Sequence, residues 1–272
     1  MTWLAIVLLG AGVADLVRSS VGRRGRVAAH VAAPVTVALA AVLTDVDGWA
    51  DVLALAVGAA GLAAWTELSR RAQRTGLQAV GALASLLATL AVLVAFSGAA
   101  STAAGPLQRW LYWADLPGAP ASAGRVLLVA ALVLFNVATA NVIVRLVLLA
   151  IGALRPDQVA APHGRAPQSG SQSGPQAADR LKGGRLLGPM ERLVILGLGL
   201  AGEFGAAGLV IAAKGLLRFP ELQASGRASL SGPTGGSRGG PVGIDDVTEY
   251  FLVGSFVSWL LALLTLALSV AS

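Results

Sequence analysis

Apolar residues in this chain fall in long, nearly unbroken runs rather than in the alternation of a half-buried strand. Seven such runs, at 2–17, 29–44, 50–67, 76–97, 124–153, 190–214 and 247–270, are separated by polar or charged segments. A helix needs about 20 apolar residues to cross the hydrocarbon of a bilayer, with a range near 17–25. The pattern predicts an all-α, polytopic transmembrane helix bundle of about seven spans. The first two runs are short, and as a re-entrant hairpin they would leave five.

Composition supports the membrane class. Of 272 residues 56% are hydrophobic and 12% charged, with a mean hydropathy of +0.74. A soluble domain carries about 25% charged residues to cover its surface. Cysteine is absent, and only His30 and His163 are histidines. Thiolate chemistry is therefore excluded and a metal centre is not expected. The net charge of +6 comes from bases that flank apolar runs. That placement points to topology and lipid headgroups, not to nucleic acid. The first run precedes its bases, the reverse of a cleaved signal peptide, so it reads as a retained helix.

The bases also predict orientation. With the N-terminus outside and the C-terminus cytoplasmic, 13 of 20 bases lie on the inner side, as the positive-inside rule requires. The bacterial inner membrane is the expected location. Three regions follow: an N-terminal helical membrane region at 1–154, a Gly/Ser/Pro/Gln-rich cytoplasmic linker at 155–180, and a C-terminal two-helix region at 181–272 with a flexible outer loop at 220–245. A short helix near 106–116, with Trp110, Tyr112 and Trp113, is expected on the outer interface, where aromatic rings favour the headgroups.

Charge within an apolar run is costly and therefore informative. Asp15 and Glu67 lie near run ends beside basic clusters, where interfacial salt bridges are expected. In the run 190–214, Arg192, Glu203 and Lys214 recur every eleven residues. On a continuous helix that interval is about 20° beyond three turns, so the three form one stripe with steps of about 16 Å. Arg192 then falls at the inner end, Glu203 at mid-membrane and Lys214 at the outer end. Gly197, Ala201 and Gly205, with Gly208 and Ala212, supply small residues for close helix packing. Arg145 in the preceding run is the expected partner of Glu203, with Asn141 one turn away completing the network. Lys182 and Arg185 are candidate lipid-headgroup contacts.

Residues 181–270 carry an ordered set of motifs. These are Lys182-Gly-Gly-Arg185, Gly188-Pro-Met-Glu-Arg192, Ile211-Ala-Ala-Lys214 with Leu217-Arg-Phe219, and Glu249-Tyr-Phe-Leu-x-Gly254. The set resembles the C-terminal part of an uncharacterised bacterial and phage-associated membrane protein family, a domain of unknown function. The resemblance implies a multi-pass inner-membrane protein and no activity.

No phosphatidyl-transfer motif, zinc-protease helix or P-loop is visible, and no catalytic, cofactor-binding or metal-binding residue is assigned. Three functional readings remain, in this order. The first is a structural or accessory membrane component, in contact with lipid and with either copies of itself or another membrane protein. The second is a small transporter or channel that uses the Glu203–Arg145 pair. The third is a lipid-modifying membrane enzyme.

Overall fold

The computed structural model describes residues 1–20, 25–115, 122–154, 184–216 and 244–271, with side chains from 28, 187 and 252 onward in the second, fourth and fifth of these segments. The expected linker at 155–180, Lys182, and almost all of the expected loop at 220–245 lie outside the described residues.

The described residues form helices and contain no strand. In chain order they are α1 (Thr2–Ser20), α2 (Gly25–Thr44), α3 (Trp49–Thr75), α4 (Ala79–Ala95) and α5 (Gly105–Ala114). Then come α6 (Ala123–Ala150), α7 (Gly184–Leu200), α8 (Phe204–Leu216) and α9 (Ile244–Val270). Four helices are long and apolar enough to cross a membrane: α1, α3, α6 and the Leu252–Val270 part of α9. Shorter apolar helices at Ala28–Thr44, Ala79–Ala95 and Phe204–Leu216 accompany them.

Helices α1 to α4 run up and down beside one another. Gly76, in the left-handed conformation at φ 73°, ends α3 and lets its amide close onto the Ala72 carbonyl. The chain reverses there into α4. α1 fills the middle, with Leu4, Ile6, Val7 and Leu8 all buried. It lies against α2, α3 and α6. A Cβ at Gly12 would meet the Leu134 side chain at 2.8 Å, so this glycine allows α1 and α6 to touch almost backbone to backbone.

The bundle has two unlike ends. At one end lie the starts of α1, α3 and α6 with α5. There Asp51 accepts from Trp3 Nε1, from the amide and hydroxyl of Ser101, and from the Gly48 amide. One carboxylate thus ties α1, the start of α3 and the segment before α5. Trp49, Phe96, Trp110, Tyr112 and Trp113 are exposed around this aromatic end. At the opposite, basic end, Glu67 accepts from Arg70 Nε at 2.9 Å and Arg71 Nε at 2.7 Å, with His30 Nε2 at 4.0 Å. Arg18 bridges Asp15 at 2.7 Å and donates to Ser69 at 2.8 Å. Asp15 and Glu67 thus pair with the bases beside them, and the Asp15 carboxylate is buried. Along α3, Trp49 and Arg70 are about 30 Å apart at helical rise.

The run 190–214 is not one helix. α7 stops at Leu200, and α8 starts at Phe204 and returns alongside it. The stop is a Schellman motif. The Glu203 amide bonds the Leu198 carbonyl at 2.8 Å, the Gly202 amide bonds that of Gly199 at 3.0 Å, and Gly202 takes φ 83°. A residue with a Cβ resists that conformation. The predicted stripe therefore does not exist.

Candidate functional site

α6 carries the central irregularity. Residues Phe135–Thr139 form a π turn inside it, midway between its ends. Such a turn inserts an extra residue and takes carbonyls out of the ordinary ladder. Arg192 of α7 exploits this: its Nε donates to the Asn136 carbonyl at 3.0 Å. Its Nη1 donates to Ser258 Oγ of α9 at 2.8 Å, and its Nη2 to Asn141 Oδ1 of α6. The Asn136 side chain in turn donates to the Leu132 carbonyl and to Thr265 Oγ1 of α9. Arg192 is 2% exposed and Asn136 is fully enclosed.

A buried cation is tolerated only when its donors are satisfied. Three neutral oxygens from two helices meet the guanidinium here. The nearest carboxylate in sequence, Glu191, is itself held by Lys214 of α8, which also stands 5.9 Å from the Trp259 ring centre. α7, α8 and α9 are thereby joined to α6 through one polar cluster with a net positive charge. On the other side of the same π turn lies the buried Asp15 carboxylate, which accepts from Trp65 Nε1 at 3.1 Å as well as from Arg18. The Thr139 hydroxyl, buried on the π turn, faces the Asp15 carboxylate, while Asn136 Oδ1, also buried there, has no hydrogen-bond partner among the described residues.

Of the residues singled out in the sequence, Arg192, Asn141 and Lys214 meet in this cluster, but not as a stripe with Glu203. Lys214 lies beside the Arg192 level, not at the opposite end of the bundle, because α8 folds back. Glu203 is exposed in the turn between α7 and α8. Arg145 is half-buried on α6 and engaged in an interaction of its own, while Asn141 turns to Arg192 instead of serving a Glu203–Arg145 pair. Arg185 begins α7, and its side chain lies outside the described residues, as does Lys182. Sequence reading did not find Asn136, Ser258 and Thr265. Their one signal is that each is a polar residue inside an apolar run.

No protein-family model, curated protein or solved structure matches the chain.

Proposed function

We propose that this protein is a multi-pass inner-membrane component with a structural or accessory role, working through contact with other membrane proteins. The observation that carries this reading is the engagement of Arg192. The one deeply buried arginine among the described residues is spent on tying the C-terminal helices to the π turn of α6, the arrangement expected of an architectural polar cluster. The resemblance of residues 181–270 to an uncharacterised bacterial membrane family fits this reading and adds no activity to it.

The proposed topology follows from the two ends of the bundle. A separation of about 30 Å between the aromatic and basic ends matches the hydrocarbon thickness of a bilayer. The levels of the C-terminal helices follow from their contacts. Thr265 pairs with Asn136 and Ser258 with the Asn141 level, so α9 runs antiparallel to α6. A Cβ at Gly199 would strike Leu266, so α7 runs parallel to α9, and α8 returns to the end where α7 began. Residues 184–216 then form a re-entrant hairpin, and six helices cross: α1, α2, α3, α4, α6 and α9. The segment 217–243 joins two elements that start and finish at the basic end. This topology assigns every base but Arg109 and Arg125 to the basic side or the adjoining half of the bundle, 18 of the 20. Counted in the same way, with Arg145 included, the seven-span arrangement accounts for 14. We assign the basic end to the cytoplasm, with both the start of α1 and the end of α9 directed outward.

The test is functional. The purified protein in vesicles under a proton or sodium gradient is expected to pass neither ion above empty vesicles, while Arg192→Gln unfolds at lower temperature. A second reading, a small transporter, is favoured by the unpartnered Asn136 Oδ1, buried on the π turn between Asp15 and Arg192. Flux that is lost in Asn136→Leu would establish it in place of the first.

A further inference from the structure

The hairpin turn carries a charge where a bilayer cannot accommodate one. Its depth follows from three contacts. Asn136 stands midway along α6, its side chain bonds Thr265, and the neighbouring Leu266 fills the space over Gly199. The Glu203 amide folds back onto the Leu198 carbonyl at 2.8 Å, which keeps Glu203 within about one helical turn of the Gly199 level. Glu203 therefore lies near the middle of the six-helix bundle, and it is exposed, with Leu200 and Phe204 exposed beside it. It opens α8, whose first turn closes from the Ala207 amide onto the Glu203 carbonyl. The positive end of that helix eases the charge by only a fraction of what water supplies. An ionised carboxylate facing lipid at mid-membrane is strongly unfavourable unless it is paired.

The surface around it is built for close approach. A Cβ at Gly197, Gly205 or Gly208 would meet nothing within 4 Å, and all three glycines are exposed. Exposed glycines at this depth weaken a helix and gain nothing from lipid, but they let a second helix lie against the backbone. No described base of this chain stands on the surface at the depth of Glu203. Arg192 is buried, Arg145 is half-buried nearer the basic end, and Arg71 and Arg74 are exposed at that end. A second copy would bring carboxylate to carboxylate.

We propose that the outer face of the α7–α8 hairpin docks a transmembrane helix of a different protein, one that carries a lysine, arginine or histidine at mid-membrane to pair with Glu203, packed over Gly197, Gly205 and Gly208. This deepens the accessory reading and rests on its membrane topology.

The experiment places a photoreactive benzoylphenylalanine at Phe204, the exposed ring beside Glu203, in the full chain, in membranes of the native host. The expected result is one protein adduct, mapped by mass spectrometry to a transmembrane helix with a base near its centre. That adduct should fall at least fivefold with Glu203→Gln and persist with Glu203→Asp, and both variants should keep the parent unfolding temperature. An adduct to a helix without a base, to this chain itself, or to lipid alone overturns the proposal, and so does an adduct indifferent to Glu203→Gln. A parallel variant, Gly205→Cys, separates the two layers of the inference. Protection from a membrane-impermeant maleimide keeps the membrane reading even if docking fails. Labelling from the aqueous side without a protein adduct removes the membrane placement of the turn and the docking with it.

Discussion

Lys214 and Glu191 are 23 residues apart in sequence, yet the ammonium of one bonds the carboxylate of the other across the base of the α7–α8 hairpin. On a continuous helix the two would stand about 34 Å apart. Their contact joins the base of the hairpin beside the residue that anchors it, Arg192. Lys214→Met is expected to leave Glu191 partly buried without its cation, and to lower the unfolding temperature in detergent. The double variant Lys214→Met/Glu191→Met should recover most of the loss, since removing both charges removes the unpaired one. Independent, additive losses would show that the pair does not couple the two arms.

Arg192 should be the most sensitive single position in the C-terminal region. Arg192→Gln strips three hydrogen bonds from a cluster closed to water, for a loss of about 3 kcal/mol. Arg192→Lys should rescue little, because one ammonium cannot reach three oxygens held apart by the planar guanidinium. Thermal unfolding followed by circular dichroism gives the ranking. A lysine variant as stable as the parent would contradict the fork geometry.

Gly202 holds the hairpin turn in a left-handed conformation. Gly202→Val should cost about 1–2 kcal/mol, whereas Gly215→Ala, a helical position with open space around it, should be neutral or slightly stabilising. Equal effects of the two substitutions would mean that the turn imposes no strain.

The exposed rings at the aromatic end give a depth prediction. Trp110 and Trp113 lie on α5, with Trp49 nearby at the start of α3. In vesicles of brominated lipid, bromines near the headgroup should quench the tryptophan emission more than bromines at the chain ends. Trp110→Phe/Trp113→Phe should reduce that difference, and adding Trp49→Phe should remove most of it. Stronger quenching from the chain ends would move α5 away from the interface.

Much of this fold is legible in the sequence, and the losses have physical causes. Apolar run length locates every helix of the N-terminal region, and the cluster of Trp110, Tyr112 and Trp113 marks α5. Asp15 and Glu67 pair with the bases their positions imply. The run 190–214 misleads because hydropathy counts apolar residues without regard to backbone direction. Gly202 followed by Glu203 is a helix stop followed by an acidic helix start, a local signal that the length of an apolar run does not register. The eleven-residue spacing of Arg192, Glu203 and Lys214 assumes a continuous helix, so the turn dissolves it. Asn136 is indistinct in sequence because its role depends on a π turn, a backbone event set by packing.

The central claim is that residues 184–216 enter the membrane and leave it on the same side, and the chain has no native cysteine to interfere with its test. Ser169→Cys and Ser231→Cys, introduced singly in intact cells and inverted vesicles, should both react with a membrane-impermeant maleimide from the cytoplasmic side only. Labelling of Ser231→Cys from outside, with Ser169→Cys labelled from inside, would make 190–214 a crossing helix and contradict the account.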